Sequence, residues 1–352
     1  MTMKKTAIAL LTASTLTVSL SARDQIKIVG SSTVYPFSSA VAEELGAITN
    51  YPTPVVESTG SGGGMKLFCA GNGMNTPDIA NASRRMKTSE FELCQKNGVT
   101  DITEVLIGFD GIAFAQAKSN APFSITKKQL LLAVAAEVPS KDGKSLVVNP
   151  YTKWSQIDDS LANREIIIYG PPKSSGTRDA FEDMILKGQT KKMNAYTSLY
   201  KADKVKNKAY KKYNKIRTDG VYVPSGENDN LIVAKLNKNK AAFGIFGYSF
   251  LIENFDKVQG AKVNNVLPTP DTISSGKYPI SRSLFFYTKN SHAKAVPAMS
   301  KYVDMFMGEN MIGSYGILGE IGLISLPEAK RTKIRTSVSK RTKLTLEELS
   351  KK

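Results

Sequence analysis

The chain of 352 residues contains a single histidine. Histidine is the commonest general base and metal ligand in enzymes, and His292 stands in a polar stretch that is typical of an exposed loop. Ser61 is not surrounded by the Gly-x-Ser-x-Gly elbow of a hydrolase, and the histidine has no metal-ligand spacing from an aspartate or glutamate. We therefore expect no catalytic residue, no metal ion and no cofactor, and a serine-dependent hydrolase is the weaker alternative.

Long apolar runs are also missing, because no stretch of about twenty apolar residues follows the first segment of the chain. That segment has two lysines within residues 1–5, a mildly apolar stretch over 6–18 and small residues over 19–22. This pattern is typical of a cleaved export signal, and no cysteine follows it that could carry a lipid anchor. The sequence therefore predicts a signal peptide over residues 1–22 and a periplasmic location.

Cysteine is nearly absent, since Cys69 and Cys94 are the two in the chain. In an oxidising compartment such a pair is readily joined, and the bridge would close a loop of roughly 25 residues. We expect a Cys69–Cys94 disulfide, and two buried thiols that never meet remain the alternative.

Acidic residues are scarce in two segments, and these account for the net charge of +17. Residues 187–217 contain eleven Lys and Arg against one acid, and residues 330–352 contain nine against two. An exported protein rarely meets nucleic acid, so we expect no nucleic-acid partner. A solvated surface is the favoured interpretation of these segments, and long-range attraction of small anions or contact with an envelope partner stays open.

Three clusters of glycine, serine and threonine stand where an apolar, strand-like run turns into a helix-like one. They are residues 30–33 (Gly-Ser-Ser-Thr), 58–64 (Ser-Thr-Gly-Ser-Gly-Gly-Gly) and 174–178 (Ser-Ser-Gly-Thr-Arg). A helix N-terminus offers free backbone N–H groups and a partial positive charge, and a hydroxyl adds a further donor. Three such clusters, the last ending in Arg178, predict a site for a tetrahedral oxyanion.

Strand-like and helix-like segments alternate along the chain, which favours an α/β fold with mostly parallel strands. Ligands in such folds bind at the carboxyl ends of the strands, where all three clusters fall. About 330 residues after the signal segment exceed the usual size of one core, so we expect two domains.

In this order, the motifs resemble those of the periplasmic phosphate-binding proteins of the high-affinity phosphate ABC transporter. The resemblance covers nearly the whole chain after residue 22, and its most specific parts are residues 60–64 and Ser175-Gly176-Thr177-Arg178. It implies a type II periplasmic-binding-protein fold, in which two α/β lobes joined by crossover strands close on one phosphate. The expected division is residues 23–115 plus 281–352 for lobe I and 116–280 for lobe II.

The resemblance also implies the residues that hold phosphate. These are Ser32, Thr33, Val34, Ser61, Arg84, Asp110, Ser175, Gly176, Thr177 and Arg178, with Arg178 and Arg84 as the cationic clamp. Two positions depart from the best-studied members of the family, which have an aspartate where this chain has Arg84 and an arginine where it has Pro171. Because that aspartate accepts the phosphate proton, Asp110 becomes the candidate acceptor and Glu227 a weaker one. A structural salt bridge from Asp110 to Arg84 or Arg178 is the alternative.

The function implied is a monomeric receptor that binds inorganic phosphate and delivers it to the membrane permease of a phosphate ABC transporter. Sulfate rejection depends on an acceptor for the phosphate proton, because sulfate carries none near neutral pH. The lost aspartate therefore keeps a receptor for sulfate or molybdate open as the alternative.

Overall fold

The computed structural model of the protein describes residues 23, 25–173, 175–202, 215–226 and 229–350. Several predictions fall outside these residues: the signal peptide over 1–22, Ser174 at the start of the third cluster, Glu227 as the weaker acceptor, and the middle of the basic segment 187–217.

The described strands are, in chain order, β1 Lys27–Gly30, β2 Val55–Ser58, β3 Ile79–Ala82, β4 Ile102–Ala117, β5 Ser124–Ile125, β6 Glu137–Pro139, β7 Leu146–Val148, β8 Ile168–Gly170, β9 Tyr222–Pro224, β10 Phe243–Gly247, β11 Val258–Gly260, β12 Lys262–Val263 and β13 Ser281–Lys289.

The described α-helices are α1 Tyr35–Ile48, α2 Ser61–Phe68, α3 Thr88–Lys96, α4 Lys127–Val134, α5 Trp154–Ile157, α6 Gly176–Phe181, α7 Gly188–Thr190, α8 Asn194–Ala202, α9 Asn230–Lys238, α10 Tyr248–Glu253, α11 Pro270–Ser274, α12 Ala298–Phe306, α13 Glu309–Ile312, α14 Ile317–Glu320, α15 Glu328–Ser339 and α16 Leu346–Ser350. A π-helical stretch, Glu182–Lys187, joins α6 to α7, and a 3₁₀ turn occupies Asn290–His292.

The main sheet has the strand order β2-β1-β3-β13-β4-β10-β8-β9, with β11 also paired to β4. Strands β2, β1 and β3 are mutually parallel at one end of the sheet, and β10, β8 and β9 are parallel at the other. Strand β4 joins the two groups because residues 102–111 pair with β13 and residues 112–116 pair with β10. The predicted α/β class is therefore confirmed, with two antiparallel strands at its centre.

The buried side chains form separate clusters on the two sides of this central pair. One cluster is built by residues between Phe109 and Ile280, together with Leu326. Two others are built by residues 26–107 and 284–344. The chain therefore leaves the side built by residues 26–107 before about residue 109 and returns to it after residue 280.

Apolar spacing and a capping residue in the sequence explain helices α1 and α4. Phe37, Val41 and Leu45 recur at helical spacing and are buried along α1, whose first turn contains Pro36. The sequence also predicts a helix over residues 126–134 with Thr126 as its cap. Helix α4 does begin after Thr126, because the Thr126 hydroxyl accepts a hydrogen bond from the Gln129 N–H at 3.1 Å.

One predicted strand is shorter than expected. The pattern from Arg164 to Tyr169 favours a strand, whereas ladder pairing covers Ile168–Gly170 in β8. Glu165 forms an isolated bridge with Lys153 instead. Arg164 lies over the ring of Phe243 and donates to nearby backbone carbonyls, so the first half of the apolar run packs without joining the sheet.

Cys69 and Cys94 form a disulfide, which confirms the prediction made from the cysteine count. Both residues are fully buried in a cluster with Phe68 and Phe91. The bridge therefore joins the end of α2 to α3 and helps to hold the helix that carries the second glycine-rich cluster.

The expectation of an exposed histidine loop is wrong. His292 is buried, and its Nδ1 lies 2.7 Å from Asp78 Oδ1 while its Nε2 lies 3.0 Å from the carbonyl oxygen of Asn72. Asp78 also receives Arg23 and the Lys27 N–H. The histidine is a structural link between loops of one core, a role that its polar neighbours in the sequence do not reveal.

The sequence favours a loop and a basic tail after a helix that ends at Met307. This expectation is wrong, since α13 to α16 occupy much of that region. Arg331 in α15 is buried and pairs with Glu309 at 3.0 Å. Part of the basic charge of this segment therefore serves to attach α15 to the core. None of the described helices has the length and apolar character needed to cross a membrane.

Candidate functional site

The three glycine, serine and threonine clusters meet at two adjoining cavities. The larger cavity has a volume of about 570 Å³ and is lined by Ser31, Ser32, Thr33, Gly60, Ser61, Gly62, Ser83, Arg84, Lys87, Asp179, Asp183, Lys187, Gly188, Lys191 and Arg282. The smaller cavity, of about 140 Å³, is lined by Ser32, Thr33, Pro36, Phe37, Asp110, Gly176, Thr177, Asp229, Gly247, Ser249, Phe250, Ile321 and Gly322. Ser32 and Thr33 belong to both cavities, so the two form one cleft.

The first cluster links β1 to α1. Helix α1 begins at Tyr35 without a side-chain cap, and the Thr33 N–H donates to the hydroxyl of Ser31 at 3.2 Å. The Val34 side chain is buried, so this residue can offer a ligand its backbone N–H alone. Thr33 lies at the mouth of the helix, where the axis presents partial positive charge.

The second cluster links β2 to α2, which starts at Ser61 and also lacks a side-chain cap. The Ser61 hydroxyl lies 3.3 Å from that of Ser83 and accepts the Ser83 N–H at 3.1 Å. A Cβ on Gly64 would lie 2.5 Å from the Cα of Gly30, so α2 packs directly on the end of β1. This close approach places the first two clusters side by side.

Arg84 follows Ser83 and lines the larger cavity. Its guanidinium makes a bidentate pair with Glu90, with distances of 2.8 and 2.6 Å. The hydrogen bonds that Arg84 donates to Glu90 raise the pKa of Arg84 above its ordinary value. Because Glu90 balances its charge, Arg84 is less available to an anion than its sequence position suggests.

Arg282 is a residue of the site that the sequence prediction missed. Its Nε lies 3.2 Å from Asp110 Oδ2, its Nη1 donates to the Ser83 hydroxyl at 3.0 Å, and its Nη2 donates to the hydroxyl of Thr33. The side chain is 12% exposed. It therefore joins the first cluster, the end of β3 and Asp110 in one network within the cleft.

The predicted salt bridge of Asp110 to Arg84 or Arg178 is absent from the described contacts, and Arg282 takes that place. Arg282 stands directly opposite Asp110 in the antiparallel pairing of β13 with β4. The sequence signal was a lone arginine just before the apolar run 284–287, and it gains meaning only once β13 is known to pair with β4.

The third cluster lies across the cleft from the first. Ser175 caps α6 by accepting the Thr177 N–H at 3.2 Å. A Cβ on Gly176 would lie 3.2 Å from the carbonyl oxygen of Ser32, and the Ser32 hydroxyl donates to Asp179 at 3.1 Å. The two sides of the cleft are thus in direct contact at the first and third clusters.

Arg178 does not line either cavity. Its side chain is buried, with Nε donating to Glu182 at 2.6 Å, Nη1 donating to the Pro171 carbonyl at 3.1 Å, and the guanidinium 4.7 Å from the centre of the Tyr222 ring. Tyr222 also donates to the Pro171 carbonyl, at 2.8 Å. Arg178 therefore fixes the loop that leads into Ser175, and its charge is directed away from the cleft.

Asp229 is a second carboxylate of the cleft that the sequence analysis did not single out. It is 4% exposed, and its Oδ2 accepts the Gly247 N–H at 2.8 Å. Oδ1 is buried and has no hydrogen-bond partner among the described residues. Burial, with a smaller contribution from the charge of Asp110, raises the pKa of Asp229 to about 6.

The raised pKa of Asp229 predicts a stability difference that changes with pH. The pKa rises from 3.8 to about 6 on folding, so the native state binds the proton more tightly than the unfolded state. The free energy of unfolding therefore falls as the pH rises from about 4 to about 6. At about 1.4 kcal/mol per pKa unit, the wild type should lose about 2–3 kcal/mol relative to Asp229→Asn between pH 4 and pH 7. Urea unfolding of both ligand-free proteins across this range measures the difference, and parallel pH profiles would contradict it.

The residues that line the cleft are suited to holding an anion. Hydroxyls, backbone N–H groups and the guanidinium groups of Arg84 and Arg282 line it, and the Ser61 hydroxyl has Ser83 as its neighbour instead of a base. In the described part of the chain no three His, Cys, Asp or Glu side chains are grouped so that they could hold a metal ion.

An α/β fold with an anion cleft between two cores defines a class of solute-binding receptors. The chain belongs to the PBP superfamily, whose domain model matches residues 17–310. This membership confirms the fold that the sequence motifs implied.

Two individual relatives are similar to this chain over most of its length. The chain is 31% identical over 304 residues to Protein SphX of Synechococcus elongatus, which covers 85% of this chain and 76% of that protein. It is 28% identical over 276 residues to the phosphate-binding protein PstS of Staphylococcus saprophyticus, covering 77% of this chain and 72% of the relative. The PstS relative confirms the resemblance to phosphate-binding proteins.

Solved structures agree. A possible phosphate binding protein from Planctomyces limnophilus is 28% identical, with a TM-score of 0.70 over 91% of this chain and 99% of the other. An ABC-type phosphate transport receptor from Vibrio cholerae, at 20% identity and a TM-score of 0.55, covers 81% of this chain and 95% of its own and shares the fold.

Proposed function

We propose that this protein is an extracytoplasmic receptor that binds inorganic phosphate in the cleft and delivers it to the permease of a phosphate ABC transporter. The observation that carries the proposal is the position of Arg282. Its guanidinium touches the first cluster at Thr33, the end of β3 at Ser83, and Asp110. Relatives named as phosphate-binding proteins support phosphate as the ligand.

The donors come from both sides of the cleft. The proposed set is Ser32, Thr33, Val34, Ser61, Ser83 and Arg282 on one side, and Ser175, Gly176 and Thr177 on the other. Charge-assisted hydrogen bonds of this kind are strong in a site that excludes water, and they suit the spread of charge over the oxygens of phosphate. The clamp expected from the sequence consists of Arg84 and Arg178. Arg84 pairs with Glu90, and Arg178 donates to the Pro171 carbonyl. Arg282 therefore replaces them as the cationic contact.

The two sides belong to two lobes, residues 23–115 plus 281–352 and residues 116–280. The separate buried clusters support a division into two lobes, although residues 109–115 pack in the core of residues 116–280. Contacts between Gly176 and Ser32, and between Ser32 and Asp179, cross from one lobe to the other. Closure on phosphate would bring the donors of both lobes together and remove water from the ligand.

Cations at the rim of the larger cavity support a role in attracting the anion. Lys87, Lys187 and Lys191 line this cavity, although Lys187 also pairs with Asp183. Like charges around an opening raise the local concentration of the oppositely charged ligand, an effect that weakens with salt. These lysines would speed phosphate capture and contribute little to its final affinity.

A calorimetric titration of the ligand-stripped protein tests the function. We expect one phosphate per protein with a submicromolar dissociation constant, which corresponds to a binding free energy more negative than about −8 kcal/mol. Millimolar sulfate should not displace the phosphate. Tight binding of sulfate or molybdate would instead favour the alternative receptor, whose supporting observation is Arg84 at the position of the family aspartate. Absence of binding for all three anions would contradict the proposal.

A further inference from the structure

Asp229 is a buried hydrogen-bond acceptor, and the described protein contacts occupy one of its two carboxylate oxygens. It directly precedes α9 and lines the smaller cavity together with Thr33, Gly176 and Thr177. Oδ2 is occupied by the Gly247 N–H, and Oδ1 has no partner within the described chain. Oδ1 is therefore the carboxylate oxygen that the described protein contacts leave for a ligand in this cavity.

The usual structural roles of an aspartate do not account for this side chain. Asp229 stands at the N-cap position of α9 but makes no side-chain capping bond. No ion pair of Asp229 with a lysine or arginine occurs among the described residues, whereas Asp110 is paired with Arg282. A buried acceptor without a partner costs stability, so its retention in a ligand cleft points to a ligand that donates to it.

We propose that Asp229 Oδ1 accepts a hydrogen bond from the protonated oxygen of bound phosphate and thereby excludes sulfate, which has no proton to donate. This proposal rests on the phosphate-receptor function proposed above. It assigns to Asp229 the task that the sequence resemblance gave to Asp110. It also explains how a chain with Arg84 in place of the family aspartate can keep selectivity for phosphate.

The charges around the two carboxylates distinguish their tasks. Asp110 is held by Arg282, so its hydrogen-bonding capacity is directed to the guanidinium that would bind the unprotonated phosphate oxygens. Asp229 forms no ion pair with a cation of the described residues, and burial raises its pKa to about 6, which leaves it ionised and acceptor-only at pH 7.5. A fully deprotonated anion would meet an uncompensated negative charge at this point.

The decisive variant is Asp229→Asn, compared with the matched variant Asp110→Asn. Asparagine keeps a carbonyl oxygen for the Gly247 N–H and places an amide donor where Oδ1 was, which suits a sulfate oxygen. Because sites built for a ligand hydroxyl reject analogues lacking it by about 10⁴–10⁵-fold, the phosphate-to-sulfate affinity ratio should fall by at least about 100-fold in Asp229→Asn. In Asp110→Asn we expect both affinities to fall with the ratio nearly unchanged.

Calorimetry with phosphate and sulfate on the wild type and both variants separates the outcomes. A wild type that fails to bind phosphate would remove the proposed function itself. A selective wild type with an unchanged ratio in Asp229→Asn, or a ratio that collapses in Asp110→Asn alone, would overturn the role of Asp229.

A second measurement decides the matter should Asp229→Asn fail to fold. In a crystal structure of the wild-type phosphate complex, Asp229 Oδ1 should lie about 2.5–2.7 Å from one phosphate oxygen, the distance of a hydroxyl-to-carboxylate hydrogen bond. A separation beyond about 3.5 Å would refute the proposal.

Discussion

Replacing Arg282 with methionine is expected to weaken phosphate binding by about a hundredfold to a thousandfold, or about 3–4 kcal/mol. The guanidinium is the charged donor that reaches the first cluster and the end of β3 together, through Thr33 and Ser83. Its removal also leaves Asp110 without its counter-charge beside a phosphate anion. Methionine fills much of the volume of the arginine stem, so the loss would report charge and hydrogen bonding more than packing.

Two other arginines serve as matched controls for Arg282→Met. Arg84→Met should cost less than about tenfold in affinity, because Glu90 already balances that charge. Arg178→Met should lower stability through the loss of its contacts with Glu182 and the Pro171 carbonyl, with a smaller effect on affinity. Calorimetry and thermal unfolding of the three variants measure this order. Should Arg178→Met or Arg84→Met abolish binding while Arg282→Met retains it, the clamp assigned by the sequence resemblance would be right and ours wrong.

Gly64→Ala should destabilise the protein by about 3 kcal/mol and weaken phosphate binding with it. Its Cβ would lie 2.5 Å from the Cα of Gly30 and 3.0 Å from the Gly30 nitrogen. Both neighbours are backbone atoms, so no side-chain rotation can relieve the overlap and α2 must move away from β1. Because α2 carries Ser61 at its first turn, the second cluster would leave its place beside the first.

The neighbouring glycine provides the control for Gly64→Ala. A Cβ on Gly63 would meet Thr59 side-chain atoms at 3.6 and 3.8 Å, which is ordinary contact. Gly63→Ala should therefore stabilise the protein by about 0.5–1 kcal/mol, since alanine has the higher helix propensity. Denaturant unfolding compares the two variants, and equal effects of both substitutions would show that helix propensity, and not the approach of α2 to β1, governs this segment.

The local parts of the fold and site could be predicted from the sequence because they depend on neighbouring residues. The spacing of Phe37, Val41 and Leu45 predicts the buried face of α1, and Ser175 caps α6 through its own loop. The glycine, serine and threonine clusters likewise mark the turns between strand and helix. The cysteine count predicts the disulfide because the chain offers a single pair.

The rest of the site depends on which strands pair with each other, and the local patterns of the sequence do not predict that pairing. Arg282 joins the site because β13 pairs antiparallel with β4 and faces Asp110 across more than 170 positions of the chain. In the sequence Asp229 lies where a helix cap is expected, and its buried position in the cleft follows from its hydrogen bond to Gly247 on β10. The sequence predicts an exposed His292 for the same reason, because its partner Asp78 lies 214 positions away in the chain.

A crystal structure of the protein grown with phosphate tests the central claim most directly. One phosphate should lie between Arg282 on one lobe and the Ser175–Thr177 loop on the other, with its oxygens about 2.7–3.1 Å from donors of both. A phosphate bound by the rim residues Lys187 and Lys191 alone, with the cleft between Thr33 and Thr177 free of it, would contradict the account.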